Sequence, residues 1–227
     1  MKKIVLSLAI VSLLFSCNKQ EDSITTTDGD LAQNVGKRGC YSDEHLKNQL
    51  AADPTLANRM EEFELKAAEA IANGRIVNGV IEIPVVVNVL YRTTAENISL
   101  AQIQSQIAVL NKDFNATNSD YNTANNPYSS VRANVGIRFV LDQVIRKSTT
   151  KTSWGTNDAM KKSASGGMAA VTPTTKLNLW VCTIGGGILG YAQFPGGASA
   201  TDGVVIDSKY LGTTGTATYP FNLGRTA

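Results

Sequence analysis

The chain has 227 residues, 43% hydrophobic and 18% charged, which is enough for one or two domains with a real core and excludes a largely disordered polymer. Its net charge of +2, from 21 basic against 19 acidic residues with no long basic run, leaves no nucleic-acid footprint. With three cysteines and a single histidine, His45, the chain cannot build a histidine-rich metal site from its own residues.

The first residues read as an export signal. Lys2 and Lys3 precede an apolar run from Ile4 to Phe15. That run is about 12 residues, against the roughly 20 a membrane-spanning helix needs. Leu14-Phe15-Ser16-Cys17 resembles a bacterial lipobox, which implies removal of residues 1–16 and lipidation of Cys17. The expected location is the outer membrane or cell surface, an oxidising setting for Cys40 and Cys182. Residues 17–39 are polar and read as a flexible tether.

Residues 40–78 read as a separate helical segment. Ser42 can cap a first helix carrying Leu46 and Leu50 on one face. Asp53-Pro54 restarts a second helix, on which Met60, Phe63, Ala67 and Ile71 form a stripe at helical spacing. Asn73-Gly74 ends it, and a domain boundary is placed in the joint that follows.

Residues 79–227 form the main body. Ile81 to Tyr91 is almost continuously apolar, the pattern of a strand buried on both faces. Ser99 and Gln102 have capping-box spacing ahead of a helix bearing Ile103, Ile107, Leu110 and Phe114. Further strands are predicted at Ile137–Leu141, Leu177–Val181, Ile188–Phe194 and Val204–Ile206, with a short helix over Asp158–Ser165. The order implies an α/β (α+β) fold: a sheet with a backing helix, preceded by the helical segment. One long helix cannot cover both faces of the first strand. A bare sheet face, and poor stability, are therefore expected of this chain alone.

Several runs in order and spacing resemble bacterial pappalysin-type zinc metalloproteases. They are Ile83-Pro84-Val85-Val86-Val87, Gln102-Ile103-Gln104-Ser105-Gln106-Ile107, Leu110-Asn111-Lys112-Asp113-Phe114, Gly155-Thr156-Asn157-Asp158, Leu177-Asn178-Leu179-Trp180-Val181-Cys182, Leu189-Gly190-Tyr191-Ala192-Gln193-Phe194-Pro195-Gly196-Gly197 and Thr201-Asp202-Gly203-Val204-Val205. The resemblance implies a metzincin-like N-terminal subdomain with a twisted mixed sheet. It also implies that Asn222 to Ala227 lead into an HExxHxxGxxH helix holding zinc, with calcium as a second candidate ion. No HExxH occurs in residues 1–227, so this chain is expected to lack peptidase activity by itself. In the same reading, Gly190, Tyr191, Ala192 and Gln193 form the cleft-rim strand, to which a peptide or protein substrate adds as an antiparallel strand. Cys40 is a candidate cysteine switch, a thiolate held on the catalytic zinc. Glycine tends to follow that cysteine in the family, whereas Tyr41 follows Cys40. A free thiol and a disulfide with Cys182 stay open as alternatives. Arg75 is the candidate activation cut. Cys182 reads as core or disulfide, Asp202 and Asp207 as turn formers or loop metal ligands, and Asn88 as a hydrogen-bonded core amide. Two rival readings are a non-catalytic surface lipoprotein that uses the sheet edge for binding, and the product of a decayed gene.

Overall fold

A computed structural model describes residues 39–72, 80–121, 127–134 and 136–227. Cys17, the signal, the tether up to residue 38 and Arg75 lie outside the described residues. No helix among the described residues is long and apolar enough to cross a membrane.

Along the described residues the helices and strands are β1 (Gly39–Cys40), α1 (Ser42–Ala52), α2 (Leu56–Ala72), β2 (Ile81–Tyr91), α3 (Leu100–Phe114), β3 (Ile137–Ser148), β4 (Leu177–Cys182), β5 (Ile188–Ala192) and β6 (Val204–Asp207). The six strands make one mixed sheet in the order β1-β5-β6-β4-β2-β3. β2 lies between β3 and β4, parallel to both, and β4 is parallel to β6. β5 turns back, antiparallel to β6. The β2–β3 register slips by one residue between Val85 and Val86, where Asp142 is passed over.

β2 is central because it can be. Val85 to Leu90 are all buried, including Asn88, whose Nδ2 donates to Asn178 Oδ1 at 3.3 Å. On one face Val85, Val87 and Val89 pack with Leu179, Val181, Ile206 and the α3 residues Ile103, Ile107 and Leu110. Each such aliphatic side chain contributes about 1.5–3 kcal/mol by leaving water. Ser99 caps α3 by accepting from Gln102 N at 3.1 Å, as its spacing predicts. Gln102's side chain does not return to complete the box. It donates instead to the carbonyls of Ser208 and Leu211, tying α3 to the chain after β6.

The bare face expected from sequence is absent. Leu90, Trp180, Cys182, Tyr191 and Val205 on the other face are covered by Trp154, Met160, Met168 and Ile184, which come from irregular chain and one 3-10 turn rather than an α-helix. The helix expected over Asp158–Ser165 is two single 3-10 turns, Ala159–Lys161 and Ser163–Ser165. Trp180 Nε1 donates to the Met168 carbonyl at 2.8 Å, which pins this cover to the sheet.

The helical segment also departs from expectation. α1 starts with Tyr41 at its cap position and no side-chain cap. On α2, Phe63 is 49% exposed, so the predicted stripe is not a buried face at that position.

Candidate functional site: the strand edge at β5

The body's sheet would end at β5, but β1 continues it. Gly39 pairs with Ile188 and Cys40 with Gly190, in parallel. Tyr41 N then donates to Gly190 O at 3.1 Å, and Ala192 N donates to Ser42 Oγ at 3.0 Å. The predicted rim residues Gly190, Tyr191 and Ala192 therefore fall on one strand, and Gln193 follows it directly. This rim is not an open edge here: the segment preceding α1 occupies it.

Gly190 is required by close approach. A Cβ there would lie 2.6 Å from the Val205 carbonyl oxygen, on the neighbouring strand's backbone. Gln193 is buried and hydrogen-bonded through both its amide oxygen and its amide nitrogen. Its Oε1 accepts from Thr201 Oγ1 (2.7 Å) and Gln49 Nε2 (3.1 Å), and its Nε2 donates to Ala198 O (3.0 Å). Further along, Arg59 Nε donates to Gly196 O at 2.7 Å. Gln49 on α1 and Arg59 on α2 thus extend the contact from β1 to the 193–197 turn.

Cys40 is exposed, with Sγ 3.3 Å from Ser42 Oγ. It lines a groove with Leu189, Gly190, Pro220, Phe221, Arg225 and Thr226. Cys40 and Cys182 are both free thiols, so the disulfide alternative is set aside. Cys182 is buried, and burial pushes its thiol well above the usual cysteine range. Asp207 is a turn former: Oδ2 accepts from Ile184 N (2.8 Å) and Oδ1 from Lys209 N (3.0 Å). Burial pushes its carboxyl up. Asp202 is exposed. Beside the groove, Arg225 forks onto two carboxylates, Asp113 and Asp120, at 2.7 to 3.0 Å. The pair of carboxylates holds its guanidinium further toward the charged form.

A resident zinc held by three or more side chains does not fit the described residues. Among them no group of three or more His, Cys, Asp or Glu side chains converges to hold an ion.

Sequence reasoning overlooked a buried polar cluster behind β5. Tyr191 hydroxyl lies 3.1 Å from Asp158 Oδ1, Lys161 Nζ 2.9 Å from the same oxygen, and His45 Nε2 3.3 Å from Asp158 Oδ2. The chain's single histidine, next to Leu46 on α1, was the available signal. Burial pushes the Asp158 carboxyl up, but the neighbouring His45 and the Lys161 charge outweigh it, so the group sits below the usual aspartate range. Burial pushes Lys161 down despite Asp158, and raises the Tyr191 hydroxyl.

No family model matches the chain. No curated protein matches it either. Solved structures do. One is a mutant of Tannerella forsythia promirolysin, at 35% identity and a TM-score of 0.72, covering 83% of this chain and 66% of that one. Another is Tannerella forsythia mature mirolysin in complex with a cleaved peptide, at 40% identity and a TM-score of 0.62, covering 66% and 61%. Mirolysin in complex with a compound matches with the same figures. The chain therefore spans about two thirds of the promirolysin chain and 61% of the mature ones. In fold and in sequence the chain is similar to promirolysin and mirolysin, and its six-stranded mixed sheet with helices is a metzincin-like fold.

Proposed function

We propose that this chain carries the pro-segment and the N-terminal part of the catalytic domain of a pappalysin-type zinc metalloendopeptidase. The observation that carries the reading is the seating of β1 on β5. The edge offered to an extended peptide is already filled, by a segment of the same chain running parallel to it. The comparisons support a precursor. The matched share of this chain is 66% against mature mirolysin and 83% against promirolysin.

In the full enzyme, zinc would activate a water for attack on the peptide carbonyl. The expected ligand motif is not within residues 1–227. What this chain's own residues do is bind and orient. Gly190 to Ala192 offer main-chain hydrogen bonds to a substrate strand, with Gln193 at their end. Cys40 is the proposed switch thiol; in support, it shares a groove with Pro220, Phe221, Arg225 and Thr226, in the stretch that by family resemblance leads into the zinc helix. Arg75 is the proposed activation cut. Cys17 is the proposed lipid anchor, placing the protein at the outer membrane or cell surface.

The test is peptide binding. Tyr41→Pro removes the N–H that bonds Gly190 O and weakens β1. A fluorescent extended peptide is expected to bind that variant more tightly than wild type, with no hydrolysis by either. Equal, negligible binding to both would refute the cleft reading. Hydrolysis by the 227-residue chain would refute the placing of the zinc ligands outside it. Separately, Cys17→Ser is expected to abolish palmitate labelling and partition into detergent. Unchanged labelling would refute the anchor.

A further inference from the structure

His45 is 4% exposed, and it is the buried residue of α1, a helix whose other side chains are partly or fully in water. An amphipathic helix ordinarily buries aliphatic side chains at such a position. Here an imidazole goes in, and what it meets is specific. Nδ1 lies 3.1 Å from the Thr156 carbonyl oxygen, and Nε2 lies 3.3 Å from Asp158 Oδ2. The ring stands 4.7 Å from the Tyr191 ring, tilted by 49°.

Both nitrogens face groups that only accept. The pocket supplies no proton of its own, because its donors are committed elsewhere. Lys161 Nζ is held by Asp158 Oδ1 at 2.9 Å and by Thr201 O at 2.7 Å, and the Tyr191 hydroxyl points at the same Oδ1. Asp158 is fixed in a left-handed conformation (φ 59°) that turns Oδ2 toward α1. An aliphatic side chain would fill the space but leave a carboxylate oxygen and a carbonyl against hydrocarbon, at the cost of both desolvations. A flat ring bonds the Thr156 carbonyl through Nδ1, brings Nε2 to 3.3 Å from the carboxylate and lies against the Tyr191 ring.

We propose that Thr156 O, Asp158 and Tyr191 form a recognition pocket for an imidazole side chain, and that His45 in this pocket holds residues 39–59 onto the β5 edge. Its biological meaning rests on reading residues 39–72 as a pro-segment. The pocket lies on β5 itself, through Tyr191, so filling it and seating β1 are coupled. It is a distinct contact from Cys40, which lies exposed in the groove.

The test uses the full chain and hydrogen exchange, with chemical rescue. In His45→Ala, the amides of Tyr41 and Ala192 are expected to exchange at least about tenfold faster, while those of Val87 and Val181 in β2 and β4 keep their protection. Free imidazole at about 10–50 mM is expected to restore the lost protection saturably. 1-Methylimidazole, with one nitrogen blocked, is expected to fail. Unchanged exchange in His45→Ala would overturn the proposal. So would acceleration that imidazole does not reverse, or acceleration that spreads through β2 and β4, since His45 would then be only a packing residue. Should His45→Ala fold poorly, His45→Gln, which keeps one donor, is expected to show a smaller acceleration confined to the same amides, and its absence counts equally against the pocket. No peptide ligand enters this experiment, so its failure leaves the cleft reading standing, and failure of peptide binding leaves the pocket standing.

Discussion

Ser42 Oγ accepts a hydrogen bond from the backbone N–H of Ala192 at 3.0 Å, joining residues 150 apart in sequence. The hydroxyl that local spacing assigns to capping α1 is engaged by β5 instead. Ser42→Ala leaves that part-buried N–H without its acceptor. It is expected to cost about 1 kcal/mol of stability and to speed exchange at Ala192. A melting midpoint and an exchange rate both equal to wild type would refute this role.

Gly190 tolerates no side chain. A methyl there would press on the Val205 carbonyl oxygen from 2.6 Å, and both partners are backbone of paired strands. Gly190→Ala is expected to destabilise the fold by about 1–3 kcal/mol, the range for overpacking a well-packed site. Circular dichroism melts read this directly, and an unchanged midpoint would show that β5 can move aside.

Asp158 and Lys161 form a buried pair, with side chains 10% and 0% exposed. Asp158→Ala strands the Lys161 ammonium on one carbonyl, and should cost about 3–5 kcal/mol. Adding Lys161→Met should return much of that loss. In a pH series the sign follows from the lowered Asp158 value. Its contribution is present above the unfolded aspartate value of 3.8 and is lost as pH falls through the lower folded value. A double variant no more stable than Asp158→Ala would refute the pairing.

Asp53 is held down to about 2, first by the side-chain hydrogen bond from Arg59 and then by Thr55. Its contribution is therefore present above 3.8 and lost as pH falls through about 2. Carboxyl NMR titration is expected to place its midpoint near 2, and Arg59→Ala is expected to move it back toward 3.8. A midpoint near 3.8 in the wild type would mean that the bridge does not form in solution.

The two described thiols differ in environment. Cys40 is exposed, whereas Cys182 is buried with its thiol raised. Alkylation of the native protein followed by peptide mapping is expected to label Cys40 in minutes, and Cys182 only after denaturation. Equal labelling of both would contradict the burial of β4.

Local patterns in the sequence were informative where burial or capping dictates residue type. Val85 to Leu90 announced a two-sided strand, and Ser99 announced the start of α3, because both signals are local. β1 was invisible: two residues, Gly39-Cys40, carry no alternation. The cover formed by Trp154, Met160 and Met168 was missed for a related reason. Irregular chain buries side chains without a period. β3 runs on to Ser148 because its far half is an exposed border strand, where Gln143, Arg146 and Lys147 are acceptable and blur the pattern. The rim residues came from family resemblance; Gly190, Tyr191 and Ala192 lie on β5 and Gln193 just after it. The His45 pocket was illegible, since Thr156 lies 111 residues away and meets the ring through a backbone oxygen.

β1 belongs to the same molecule as the edge it fills, and this changes how any outside peptide must compete. A tethered strand acts at an effective concentration set by its linkage, commonly about millimolar. If β1's own intrinsic affinity for the edge is about micromolar, any free peptide would then register roughly a thousandfold weaker, without any change at its own contacts. Cutting the linkage alone abolishes that advantage: the severed strand dilutes into bulk solution, and the edge passes from a closed intramolecular equilibrium to open competition.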